Sequence, residues 1–192
     1  MKKKIIKKKF VYLISPNIIK NNSFYKQLED LFRTNKISFF QLRLKREKER
    51  KKLIIGKKII KICKKYKVRF IVNDDPVLAR RLDSDGCHLG QKDMKILKAQ
   101  KILKKKIIGI TCHNSLNLVK QAIKNKANYI AIGAFNNSKT KKVKFKANIK
   151  LLKLVKKITN IPIVAIGGIN RDNYKNLLLN KANFLAISGY IW

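Results

Sequence analysis

The chain reads as a (β/α)8 barrel, a TIM barrel with no room for a full eighth helix, and three observations lead there. Eight short apolar runs rich in branched residues recur along 192 residues. All but the last are followed by a mixed apolar and basic segment long enough for a helix. Such alternation implies parallel strands joined by helical crossovers. Eight runs, rather than five or six, favour a closed barrel over an open doubly wound sheet. Polar and glycine residues gather just after the runs, where active sites of this fold lie.

Taken in order, the first run is Phe10 to Ser15, with a helix expected over 23–34. Ile37 to Leu42 precedes a helix over 46–65, and Val68 to Val72 one over 76–82. Gly86 to Leu89 precedes 93–104, Ile107 to Thr111 precedes 115–126, and Tyr129 to Gly133 precedes 147–158. Ile161 to Ile166 precedes 171–180. After the eighth run, Phe184 to Ser188, only Gly189 to Trp192 remain. The typical barrel has about 250 residues, so economy must come from short loops and from the absent last helix. That absence would leave one flank open, to be covered by a partner subunit in a homo-oligomer, by Trp192 or by the N-terminal segment. One domain spanning 1–192 is expected.

Composition narrows the setting. The apolar run after the basic N-terminus is too short for a secretory signal, and no stretch approaches the roughly 20 apolar residues of a membrane span. Three cysteines, Cys63, Cys87 and Cys112, are odd in number and far apart, which points to neither a disulfide framework nor a zinc site. A cytoplasmic protein is expected. The net charge of +38 raises nucleic-acid binding through a lysine-rich surface. Against it, only eight of the 48 basic residues are arginine, and the lysines spread over nearly the whole chain. That spread reads as compositional bias rather than a specific nucleic-acid site.

Acidic residues are scarce, and five of the ten lie between Asn73 and Asp93. Asp75, Asp83 and Asp85 fit helix caps and turns. Asp74 and Asp93 follow neighbouring strands three and four, where two carboxylates can share one Mg2+ whose other positions go to water and substrate phosphate. In Gln41-Leu42-Arg43-Leu44-Lys45 the period of two puts Gln41, Arg43 and Lys45 on one face, aimed into the barrel mouth. Arg43 is informative, because an unpaired charge in an apolar run is expensive. Gly167-Gly168, before a helix starting near Asn170, can set backbone N–H groups against a phosphate, with Ser188-Gly189 as the matching turn. Ser138, Lys139, Thr140 and Lys141 place hydroxyls and ammonium groups on the loop after strand six. His88, inside a strand, reads as a packed histidine, whereas His113 stands at a strand end.

These motifs together closely resemble the family of thiamine-phosphate synthase and its paralogue, the thiazole tautomerase. The likeness runs from Tyr12-Leu13-Ile14 to Ala186-Ile187-Ser188. It is carried by Q-L-R-L-K at 41–45, N-D-D at 73–75, D-G-C-H-L-G-Q-K-D at 85–93, G-I-T-C-H at 109–113, T-K at 140–141 and I-P-I-V-A-I-G-G-I-N at 161–170. The resemblance implies a transferase joining hydroxymethylpyrimidine diphosphate to thiazole phosphate with release of pyrophosphate. By position, Gln41, Arg43, Lys45 and Asn73 would hold the pyrimidine diphosphate, and Asp74 and Asp93 would bind Mg2+. Thr111 or Cys112 would border the pyrimidine. Lys141 would contact the diphosphate, joining Arg43 and Lys45 as the charges that stabilise the leaving group. Ser138, Lys139, Thr140, Gly168, Ser188 and Gly189 would hold the thiazole phosphate. A tautomerase centred on His113 is the second reading, and a lysine-rich barrel that binds nucleic acid is the non-enzyme alternative.

Overall fold

A computed structural model of the chain describes residues 9–137 and 143–192. Eight parallel strands close into a barrel in sequential order, the last pairing with the first. The strands are β1 (Val11–Ile14), β2 (Ile37–Leu42), β3 (Arg69–Asn73), β4 (Gly86–Leu89), β5 (Ile107–His113), β6 (Tyr129–Gly133), β7 (Ile163–Ile166) and β8 (Phe184–Ile187). Between them run α1 (Ser23–Arg33), α2 (Glu49–Lys65), α3 (Pro76–Arg81), α4 (Ile96–Leu103), α5 (Leu116–Lys124), α6 (Ile149–Ile158) and α7 (Tyr174–Leu179).

The period of two along each strand divides the buried side chains into two cores. One set, including Phe40, Leu42, Phe70, Val72, Leu89, Ile108, Ile130 and Ile132, packs outward against the helices. The alternate set, Tyr12, Ile14, Phe39, Ile71, Tyr129, Ala131, Val164 and Ala186, fills the barrel interior. Large and small residues interlock there. Gly109 sits beside Tyr129 in the β5–β6 register, and a Cβ at Gly109 would collide with the Tyr129 ring.

The expected order of elements is present, with shifts at their ends. Strand β5 runs on through Cys112 and His113, with a register irregularity between Thr111 and His113. Helix α7 starts at Tyr174 rather than near Asn170. The residues between are taken up by an Asn-based turn, in which Asn170 Oδ1 accepts from the N–H groups of Asp172 and Asn173. Beyond β8 among the described residues, the flank beside α1 is covered by Trp192. Its ring packs on Phe24 of α1 at 5.1 Å between centroids, and its indole N–H donates to the Ile14 carbonyl at 2.6 Å.

Candidate functional site at the barrel mouth

Aspartate roles separate by local geometry. Asp75 caps α3 by accepting from the Leu78 N–H at 2.9 Å, and Asp85 accepts from the Phe70 N–H at 2.7 Å. Asp83 occupies a left-handed turn and pairs with Lys106. These three are committed to structure. Asp74 and Asp93 are not. Asp74 follows the last residue of β3 in the left-handed region, φ 66°, with its N–H donating to the His88 carbonyl. Asp93 lies in the turn four residues beyond β4, and its Oδ2 accepts from the Gly90 N–H at 2.6 Å.

These two carboxyl groups lie close enough to shift each other's titration, and Lys45 Nζ stands 3.0 Å from Asp74 Oδ2. Burial works to raise the pKa of Asp74, but hydrogen bonds from Lys45 and Asp93 outweigh it and leave it below the ordinary value. Asp93 is pushed upward, first by burial and then by its bond to Asp74. Each carboxyl thus feels the other, with the Lys45 ammonium favouring the charged form of Asp74. Among the described residues no group of three or more His, Cys, Asp or Glu is placed to hold a metal ion. Two hard oxygen donors with space for water and phosphate suit Mg2+ better than Ca2+.

Strand β2 ends at Leu42, earlier than the five-residue motif suggested, yet the alternation continues beyond it. Leu42 and Leu44 are buried toward the helices, while Gln41, Arg43 and Lys45 take the other side. Gln41 is only 2% exposed. Half-buried Arg43 donates its backbone N–H to Ser15 Oγ at 2.8 Å and its guanidinium to Asn17 Oδ1 at 2.5 Å. Burial lowers its pKa, and the charge of Asp74 opposes that shift. Lys45, Asn73 and Asp74 line a cavity of about 190 Å³ shared with Lys52 and Asp75.

On the far side of the mouth, Thr111 Oγ1 lies 2.9 Å from His88 Nε2. Cys112 is excluded from bordering a ligand there. Its side chain is fully buried in the outer core, where burial pushes the thiol up to about 12. His88 is a packed histidine, as its position in a strand suggested. Its Nδ1 meets the Tyr129 hydroxyl at 2.9 Å, and burial lowers its pKa to about 4. The Tyr129 hydroxyl is in turn 2.7 Å from that of Tyr12. Sequence reasoning passed over both tyrosines, and over Gln91, whose Nε2 donates to the Thr111 carbonyl at 2.5 Å. The available signal was Gly109, but it speaks only once the strand register is known.

Gly167 and Gly168 both have positive φ, and a Cβ on Gly168 would strike Asn136 and the Asn137 carbonyl. The two glycines thus let the β7 turn pass close against the β6 turn. Because α7 begins at Tyr174, its N-terminus does not abut Gly168, and any phosphate grip there rests on the turn alone. Ser188 begins the closing turn and donates to the Ser15 carbonyl at 3.4 Å, with Gly189 next to it. His113, in the left-handed region, packs tilted against Phe145 with centroids 4.6 Å apart. Ser138, Lys139, Thr140 and Lys141 lie outside the described residues.

A family description, thiamine monophosphate synthase, matches residues 11–191. The chain belongs to the thiamine monophosphate synthase family. A thiamine-phosphate synthase of Pelagibacter ubique (strain HTCC1062) is 65% identical over 192 residues, covering 100% of this chain and 93% of that one. Another from Erythrobacter litoralis (strain HTCC2594) is 37% identical over 95% of this chain and 87% of its own. Among solved structures, a thiamine phosphate pyrophosphorylase from Pyrococcus furiosus aligns with TM-score 0.82 at 27% identity. The alignment covers 94% of this chain and 85% of that one. Thiamine-phosphate synthases such as these relatives are transferases. Among the described residues no helix is long and apolar enough to cross a membrane.

Proposed function

We propose that the chain is a thiamine-phosphate synthase, joining hydroxymethylpyrimidine diphosphate to thiazole phosphate and releasing pyrophosphate. One observation carries this reading: the Asp74 and Asp93 carboxyls meet at the barrel mouth with Lys45 on their flank. The match to the Pelagibacter relative along the whole chain supports it. Asp74 and Asp93 would hold Mg2+, which when bound supplies positive charge to the diphosphate. Arg43, Lys45 and Lys141 add their own charges to the same leaving group. Gln41, Asn73 and Thr111 would hold the pyrimidine diphosphate from β2, β3 and β5. Ser138, Lys139, Thr140, the Gly168 amide and Ser188-Gly189 would take the thiazole phosphate.

The chemistry needs little beyond this arrangement. The bond between the pyrimidine methylene and the diphosphate oxygen breaks, its electron pair leaving with pyrophosphate. The thiazole nitrogen then gives its lone pair to the methylene carbon, forming the new C–N bond. Desolvation by the mouth strengthens the cationic groups where negative charge builds. A cytoplasmic place suits phosphorylated substrates, which do not cross membranes unaided. Purified protein incubated with both substrates and Mg2+ should yield thiamine monophosphate and pyrophosphate in equal amounts. No product above a heat-inactivated control sinks the reading.

A further inference from the structure

A polar thread crosses the largely apolar interior of the barrel. It runs from Tyr12 on β1 through Tyr129 on β6 and His88 on β4 to Thr111 of β5, so one of its ends is a group of the mouth. Tyr12, Tyr129 and Gln41 are each almost fully buried, and His88 is 8% exposed. Both nitrogens of His88 are engaged by hydroxyls, at 2.9 Å each. Packing alone would be served by Phe at either tyrosine, so the hydroxyls have another consequence.

The direction of the thread follows from elementary acid–base chemistry. A neutral imidazole carries one N–H and one bare nitrogen. A phenol is a stronger donor than an aliphatic alcohol, its pKa being about 10. An alcohol oxygen is a better acceptor than a phenol oxygen, whose lone pair is drawn into the ring. The favoured arrangement therefore has Tyr129 O–H donating to Nδ1 and Nε2–H donating to Thr111 Oγ1. Tyr12 supplies the Tyr129 oxygen with a donated proton, turning the Tyr129 hydrogen toward the histidine. Thr111, with one lone pair occupied by His88, is left with its own proton for the mouth.

We propose that Tyr129 is a positioning residue: through His88 it fixes Thr111 as a hydrogen-bond donor toward an acceptor nitrogen of a heteroaromatic substrate. The substrate half of this inference rests on the synthase reading, in which that ring is the pyrimidine. The tautomer half does not. The same thread explains why a histidine is kept where an apolar side chain would fill the barrel. A neutral imidazole accepts from a phenol on one edge and donates to an alcohol on the other, which an apolar side chain cannot do.

Two measurements test it. The chain has only two histidines, so long-range proton–nitrogen NMR of nitrogen-15-labelled protein resolves both rings, with His113→Gln assigning His88. The wild-type protein should show His88 protonated at Nε2 and bare at Nδ1; protonation at Nδ1 overturns the proposal, with no variant needed. In Tyr129→Phe, the tautomers should mix, and KM for the pyrimidine diphosphate should rise roughly tenfold, the worth of one hydrogen bond. KM for the thiazole phosphate should stay unchanged. Equal rises in both KM values would mark a merely structural role and overturn the proposal. Absence of product from the wild type would instead remove the synthase reading and the substrate half with it, while the NMR result still decides the tautomer.

Discussion

Asp93 is held by a single backbone N–H and touches Asp74, so its side chain is free to turn toward a cation without unmaking a cap or a strand. Asp93→Ala should therefore fold normally but lose activity by about 100-fold or more, with the residue of activity needing more Mg2+. Steady-state rates against Mg2+ concentration check this, and an unchanged Mg2+ dependence would refute the assignment. His88 gives a prediction in pH. Its pKa is about 4 when folded, against an ordinary 6.5, so unfolding releases a ring that binds a proton more readily. The stability it contributes is complete above pH 6.5 and is lost as pH falls toward 4, by about 3 kcal/mol in all. Urea unfolding from neutral to acid pH should show this slope in the wild type, reduced in His88→Gln. Equal slopes in both would contradict it.

Strands and helices were legible because their signal is local: branched apolar runs alternate with basic amphipathic segments. Ends were less so, and for physical reasons. Helix α7 loses its first residues to an Asn170 turn, and β5 runs past Thr111 through an irregular register, neither of which periodicity can reveal. The alternation at 41–45 did reveal which side chains share a face, even though the strand ends at Leu42. Pairings across the barrel, such as Gly109 with Tyr129, depend on register and were invisible. They carry their own test. Gly109→Ala would drive a methyl into the Tyr129 ring and should destabilise by about 1–3 kcal/mol, measured by chemical denaturation. Stability equal to wild type would mean the two strands do not meet there. Trp192 packs across the flank beyond β8. Trp192→Phe keeps an aromatic ring on Phe24 but leaves the Ile14 carbonyl without its indole donor, at a cost of about 1 kcal/mol. Trp192→Ala should cost more.

At the scale of the whole molecule, a net charge of +38 surrounds a mouth that, on the synthase reading, receives two phosphorylated substrates. The field draws both anions toward the mouth, so kcat/KM should fall several-fold as salt is raised from about 20 to about 200 mM. A flat response would show that the lysines play no part in substrate capture. The barrel brings Arg43, Lys45, Asp74, Asp93 and Thr111 to one end from four strands or the turns after them, although they are spread over 69 positions of sequence. Which aspartates serve caps and turns could be argued from position, but the approach of Asp74 to Asp93 required the fold. The most direct measurement is a crystal structure with Mg2+ and pyrophosphate. The account predicts an ion ligated by Asp74 and Asp93, with pyrophosphate oxygens completing its shell beside Arg43 and Lys45. An ion bound elsewhere, or pyrophosphate lying away from that pair, would contradict it.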